Sequence, residues 1–390
     1  MKNFLPLLFL LPMTAASAVA AEPLPQIGSG ETNGYHLVWQ DLFDGTELNP
    51  ERWQIEVNGS GGGNNELQYY TDKEENVRLG DDGDGNGCLI LTARREKYNN
   101  RNFTSGRINS MDRTTFTHGK VEASIKLPKT ANGLWPAFWM MGNDYNQVGW
   151  PKCGEIDILE MGNATGIKDG YQERYFNGAA HWGQGWPAAS YAKSQNNITS
   201  LQDGEYHLYT LIWTEDYLRM YVDLDKNPLR PPYYEMGIKH DDPDNEWSPG
   251  NYFHKNNFIL FNLAVGGDFT GIHDANNITA LNDENGQEAS MYVNYVKIYQ
   301  LDDESHSLDA LTKGDEQPGS SYVSTIAGER NTISFDGSVI SSPIASLSLF
   351  SAAGVCVARS DNGRLSTEGL AAGLYLATDG HSTRKILVSE

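Results

Sequence analysis

The run Lys120-Val-Glu-Ala-Ser-Ile-Lys-Leu127 alternates strictly, with Val121, Ala123, Ile125 and Leu127 on one side. A repeat of two is the signature of a strand with one buried face; a helix would return its apolar positions every three or four residues. Leu208 to Trp213, Leu218 to Val222, Phe258 to Val265 and Met291 to Tyr299 add β-branched and aromatic runs. Turn clusters such as Asp81-Asp82-Gly83-Asp84-Gly85-Asn86-Gly87 separate such runs, and no segment carries a long apolar stripe at helical spacing. Many short strands between about Tyr35 and Tyr299 predict an all-β fold, two antiparallel sheets packed face to face.

The 390 residues include 9 Trp, 20 Tyr and 13 Phe, with 39% hydrophobic and 21% charged residues, which excludes a wholly disordered chain and a multi-span membrane protein. The formal net charge of −22 repels phosphate backbones and sulfated polymers, so nucleic acid is excluded as a partner and a neutral or cationic one is favoured. Met1 and Lys2 lead into an apolar run and then Ala18-Val19-Ala20-Ala21, the order of a secretory signal peptide. Residues 1–21 are therefore expected to be an export signal, with no membrane insertion, and the product to be secreted or held at the cell surface. Residues 22–301 would form the main β domain, 302–321, acidic and rich in Ser and Gly, a linker, and 322–390 a small β domain without tryptophan. Three cysteines, Cys88, Cys153 and Cys356, allow at most one bridge.

The stretch Gly154-Glu-Ile-Asp-Ile-Leu-Glu-Met161 constrains function most. As a plain strand it would place Glu155 and Asp157 on one face and Glu160 among isoleucines on the other, a costly burial. A β-bulge near Ile158-Leu159 would return Glu160 to the face of the other two acids. Four effective steps of ~3.3 Å then separate the glutamate Cα atoms by ~13 Å, and inward-leaning side chains close the carboxyl groups to ~5–5.5 Å, the separation used by retaining glycosidases. On this reading Glu155 is the nucleophile, Glu160 the acid/base, and Asp157 orients and tunes them, with at least one pKa raised by mutual repulsion. The alternative is a solvated acidic edge strand.

Around these acids stand Gly133-Leu-Trp-Pro-Ala-Phe-Trp-Met-Met-Gly142, Gly149-Trp-Pro151, Ala180-His-Trp-Gly183 and Asn262-Leu-Ala-Val-Gly-Gly267. In this order the motifs resemble glycoside hydrolase family 16, in its bacterial laminarinase-like branch of endo-β-1,3-glucanases. The resemblance implies a curved, concanavalin A-like jelly-roll sandwich with an open cleft, and retaining hydrolysis of a neutral β-glucan without a catalytic cofactor. Flat aromatics suit the apolar CH faces of pyranose rings; the resemblance gives Trp135 a stacking role, with Trp139 and then Trp150 behind it. It also places His181 beside the acids, on Glu160 or Asp157, and brings Asn64 or Asn65 and Arg107 to the substrate, with Glu66 structural. It implies a structural Ca²⁺ on the last strand, at Asn294. Asp82-x-Asp84-x-Asn86-Gly87 imitates half of an EF-hand loop, but position 12 is Ala93, which has no ligand oxygen, so a hairpin turn is expected there.

The tail Gly373-Leu-Tyr-Leu-Ala-Thr-Asp-Gly-His-Ser-Thr-Arg-Lys-Ile-Leu-Val388 is similar to C-terminal sorting domains of type IX secretion cargo, which implies an encounter with secretion machinery. A monomer is expected. Two other functions stay open: a mixed-linkage β-1,3/1,4-glucanase, and a non-catalytic β-glucan-recognition protein, whose relatives typically lack the glutamates present here.

Overall fold

The computed structural model describes residues 28–83, 85, 87–239, 244–310, 333–335, 338–342, 347–351, 356–371, 373–378 and 383–388. The chain divides into two compact units, Met1–Asp315 and Glu316–Glu390. The expected export signal and residues 311–332, which hold most of the expected linker, lie outside the described residues.

The alternating run Lys120 to Leu127 supplies the strand Gly119–Lys126, flanked by His207–Trp213 and Glu288–Gln300 near the middle of a 10-stranded sheet. Its inward residues Val121, Ala123 and Ile125 are fully buried. They join one core with Phe138, Met140, Ile156, Ile158 and Phe261 from a facing 9-stranded sheet. Each large apolar side chain taken from water here contributes roughly 1.5–3 kcal/mol. The result is the curved antiparallel sandwich that the patterning predicts. Trp39, Trp53 and Trp213 belong to this core. One pair, Gln68–Tyr70 with Phe103–Ser105, runs parallel. A hairpin, Val77–Asp81 with Gly87–Arg94, is inserted between the two and supplies the long connection that a parallel pair needs.

That hairpin contains the half EF-hand pattern. Among its described residues, the Asp82 carboxylate accepts from Lys126 at 3.0 Å and from the Tyr206 hydroxyl at 2.9 Å, so it is committed to structure; Asp84 and Asn86 lie outside the described residues.

The second sheet carries the site. Its strands run in the spatial order Ala189–Asn196, Tyr175–Trp182, Glu155–Met161, Leu134–Gly142, Asn257–Val265, Arg107–Asn109 and Gln54–Ile55. The expected linker start needs correction. Ser307–Ala310 is a strand of this sheet, paired antiparallel with Thr114–Thr117, and the Ser305 carbonyl accepts from His118 Nδ1 at 2.7 Å. The acidic composition pointed to solvent, but an available strand edge offers the backbone a ladder that composition does not register.

Within the second unit, Ser334–Phe335, Val339–Ser341 and Arg364–Ser366 form one sheet, and Leu347–Ser351, Cys356–Ser360, Gly373–Thr378 and Thr383–Val388 another. Ile340, Leu347, Leu349, Tyr375, Ala377 and Ile386 share a core of their own. Cys88 and Cys153 are buried free thiols. No described helix is long and apolar enough to cross a membrane.

Candidate active site

The acid strand slips register against both neighbours at the same place. On one flank Glu160 faces Ala137, Leu159 faces Phe138, and Asp157 faces Trp139, so Ile158 has no partner. On the other flank Asp157 faces Ala179 and Glu160 faces Asn177, leaving Gly178 alone opposite Ile158 and Leu159. Both of these side chains point into the core and are fully buried, and Glu160 therefore returns to the face of Glu155 and Asp157. The bulge is held by what surrounds it. Tyr233 donates its hydroxyl to the Ile158 carbonyl. Gly178 is required by space: a Cβ there would meet the Met220 sulfur at 2.8 Å and the Tyr233 ring at 2.9 Å.

Directly paired residues share a face, so the register orders the open side of this sheet into rows. Through Glu155 run Met141 on one side and His181 then Ser190 on the other; through Asp157, Trp139 opposite Ala179 and Ala192; through Glu160, Ala137 and Asn262 opposite Asn177 and Ser194.

Each glutamate receives an indole N–H. Trp150 Nε1 donates to Glu155 Oε2 at 3.1 Å, and Trp135 Nε1 donates to Glu160 Oε1 at 3.2 Å. His181 Nε2 lies 3.4 Å from Asp157 Oδ2 and 3.8 Å from Glu155 Oε1. Of the two acids expected for it, the imidazole thus joins Asp157, and it bridges to Glu155. The tryptophans also change places. Trp135 is 9% exposed, its ring stacked on Phe269 at 4.6 Å, so its closest observable duty is to hold the Glu160 carboxyl, and little of its ring is left for a sugar. Trp150, ranked last from the sequence, is 39% exposed and presents the open ring.

Burial raises all three acids, because a charged carboxylate loses solvation that its neighbours do not fully replace. Glu155 is pushed up to about 8 by burial and then by Asp157, opposed by His181, the Trp150 N–H and the Arg107 charge. Asp157 is also raised by burial. Glu160 is raised well above the usual carboxylate range by burial and then by Asp157, opposed by His181 and the Trp135 N–H. Arg107 is the asymmetry: its charge opposes the rise at Glu155, while the rise at Glu160 is opposed by His181 and the Trp135 N–H.

Arg107 is itself held by Glu56, 2.9 Å from its Nε, and its guanidinium lies 4.8 Å over the Trp139 ring. Trp139 donates to Asn262 at 2.7 Å, Asn262 donates to the Tyr70 hydroxyl at 3.3 Å, and that hydroxyl donates to Glu66 at 3.1 Å. Glu66 is 3% exposed, as its structural role requires. Asn65 donates to the exposed Asp268 carboxylate at 3.1 Å, and the Asn64 carbonyl accepts from the Asp268 N–H at 2.8 Å. The structure thus joins both asparagines to the loop that follows the Asn262 strand, through Asp268. Glu56 and Asp268 went unread in the sequence: Glu56 lies far along the chain from Arg107, and Asp268 from Asn65.

At the expected calcium position Asn294 donates its Nδ2 to the Gly87 carbonyl at 2.9 Å, a bond that does not use its Oδ1, the atom able to meet a cation. Glu155, Asp157 and His181 bring ligand atoms within 4.8 Å of one another, but the Trp150 N–H and the imidazole already serve them.

The Trp150 bond yields a measurable expectation. Trp150→Phe keeps a ring and removes the donor that favours ionised Glu155, so the Glu155 pKa rises. The acidic limb of the kcat/KM profile should move to higher pH, by roughly one unit. An unmoved limb would show that this N–H does not govern Glu155.

Comparison with known proteins agrees with this geometry. The profile of Glycosyl hydrolases family 16 matches residues 64–230. A beta-glucanase of Rhodothermus marinus is 32% identical over 282 residues, 68% of this chain and 85% of that protein. A Bacteroides ovatus family 16 enzyme of a mixed-linkage glucan locus, solved with a G4G4G3G product, is 42% identical with a TM-score of 0.58, covering 67% of this chain and 99% of that one. The laminarinase catalytic domain of Thermotoga maritima is 30% identical with a TM-score of 0.54, covering 68% and 98%. With its paired glutamates on one face of a curved sandwich, the chain belongs to family 16 of the glycosyl hydrolases.

Proposed function

We propose that this enzyme is exported and cuts internal bonds of a neutral β-1,3-glucan by double displacement, with retention. One observation carries the reading: the register slip that gathers Glu155, Asp157 and Glu160 on one face, with separate donors on the two glutamates. In the first step a Glu155 oxygen bonds the anomeric carbon as the glycosidic bond breaks, and Glu160 gives its proton to the leaving oxygen. In the second, Glu160, now ionised, takes a proton from water, whose oxygen displaces Glu155 from that carbon. Asp157 and His181 hold the charge balance between the two.

Laminarin is the first substrate class. A mixed-linkage β-1,3/1,4-glucan is the second, and the 42% identity to the Bacteroides ovatus enzyme, against 30% for the laminarinase, weighs in its favour. The net charge of −22 supports an uncharged polymer over a sulfated one. Export is supported by the order of residues 1–21, and passage through secretion machinery by the C-terminal unit, whose separate core is consistent with a sorting module. The enzyme would act as a monomer.

The test is product analysis on laminarin and on mixed-linkage glucan. Reducing ends should appear as oligosaccharides before glucose, and ¹H NMR should find the β-anomer formed first. An α-anomer formed first would overturn the double displacement, and equal inertness toward both polymers would overturn the glucanase reading.

A further inference from the structure

Trp186 is 83% exposed, the most open tryptophan among the described residues. Its ring lies 6.1 Å from that of Trp150 at an interplanar angle of 30°, and Trp150 lies 6.3 Å from His181. The two indoles form an exposed aromatic pair beside His181, flat apolar rings of the kind that stack on the CH faces of sugars. The residue sits in the connection between Tyr175–Trp182 and Ala189–Asn196, at the Glu155 end of the acid strand.

The floor beside it differs from the floor across the acids. On the far side stand Trp139, Asn262 and Arg107, bulky, hydrogen-bonded and charged. On the near side the rows continue through His181 and Ser190, Ala179 and Ala192, and Asn177 and Ser194, so that beyond His181 and Asn177 the outer strand presents only small side chains to this face. The ring under attack needs its hydroxyls fixed and a charge close to Glu155, which the Arg107 side supplies. The chain that departs needs contact without a rigid polar lock. An aromatic wall over a floor of small residues offers that.

We propose that Trp186, with Trp150, is a stacking wall for the leaving-group side of the glucan, so that Trp186 determines how firmly the enzyme holds the acceptor sugar. The proposal rests on the glucanase reading above. It makes Trp186 a specificity residue, because an acceptor held on this wall competes with water for the glycosyl-enzyme.

The experiment compares wild type, Trp186→Ala and Trp186→Phe in the full chain. Three readouts are taken: laminarin and mixed-linkage glucan kinetics, cleavage of a nitrophenyl β-glucan oligosaccharide whose leaving group is the nitrophenol, and the ratio of transfer to hydrolysis with an added oligosaccharide acceptor. Trp186→Ala should raise KM on polymer about five- to tenfold and lower the transfer ratio several-fold. The effect on the nitrophenyl substrate should be much smaller, and Trp186→Phe should recover most of the loss. Unchanged polymer KM and transfer ratio would overturn the proposal. So would an equal loss on the nitrophenyl substrate, which would make Trp186 a support for Trp150 and Glu155 instead. A wild type inert on every β-glucan would sink the glucanase reading first, and this proposal with it.

Discussion

Glu155→Gln is expected to abolish hydrolysis, by on the order of 10⁴-fold or more, while glucan binding is retained. The amide keeps the size of the carboxylate and one oxygen for the Trp150 N–H, but it cannot form the bond to the anomeric carbon. Glu160→Gln should cost less, about 10²–10⁴-fold on polymer, because the lost element is proton transfer alone. A nitrophenol leaving group needs little protonation, so that variant should still release it in a first burst. The two roles separate by stereochemistry. With Glu155→Ala an added small anion can attack only from the vacated side, and a β-bond gives an α-product. With Glu160→Ala the glycosyl-enzyme forms first and the anion then captures it with net retention. Substantial turnover by Glu155→Gln, or the same anomer from both variants, would remove these assignments.

The second large effect is one of stability. Phe138 is fully buried, stacked on Phe261 at 4.8 Å with an interplanar angle of 11°, and faces Leu159 across the register slip. Phe138→Ala deletes a ring from the middle of the core and leaves a cavity beside the two residues that the bulge turns inward. The expected cost is about 3–5 kcal/mol, a fall of roughly 10 °C in the unfolding midpoint of the catalytic unit. Thermal unfolding followed by near-UV circular dichroism measures it, and a shift under about 3 °C would mean that the sandwich closes over the gap.

The strands were legible in the sequence because burial of one face writes a period of two into the residues, as in Lys120 to Leu127, seen as Gly119–Lys126. The bulge was legible for a different reason: a plain strand would have buried Glu160 among isoleucines, and that cost demanded an extra residue. What pattern alone did not disclose was partnership over distance. Trp135 reads as a sugar platform until Phe269 is seen covering its ring, and Trp150 reads as minor until its exposure and its bond to Glu155 are seen. The strand Ser307–Ala310 escaped because its residues are ordinary in a loop and only the free edge of Thr114–Thr117 makes them a ladder. Arg107 was marked by the family resemblance, yet it is held by Glu56, far earlier in the chain.

The doubled inward pair has a bearing on tolerance to length change. Ile158 and Leu159 both dip into the hydrocarbon interior, so excising either one would restore simple up-down parity and still leave Glu160 pointing outward. The phase of the reactive groups is therefore buffered against a single-codon deletion, with the penalty falling on interior volume and on the reach between the two glutamates.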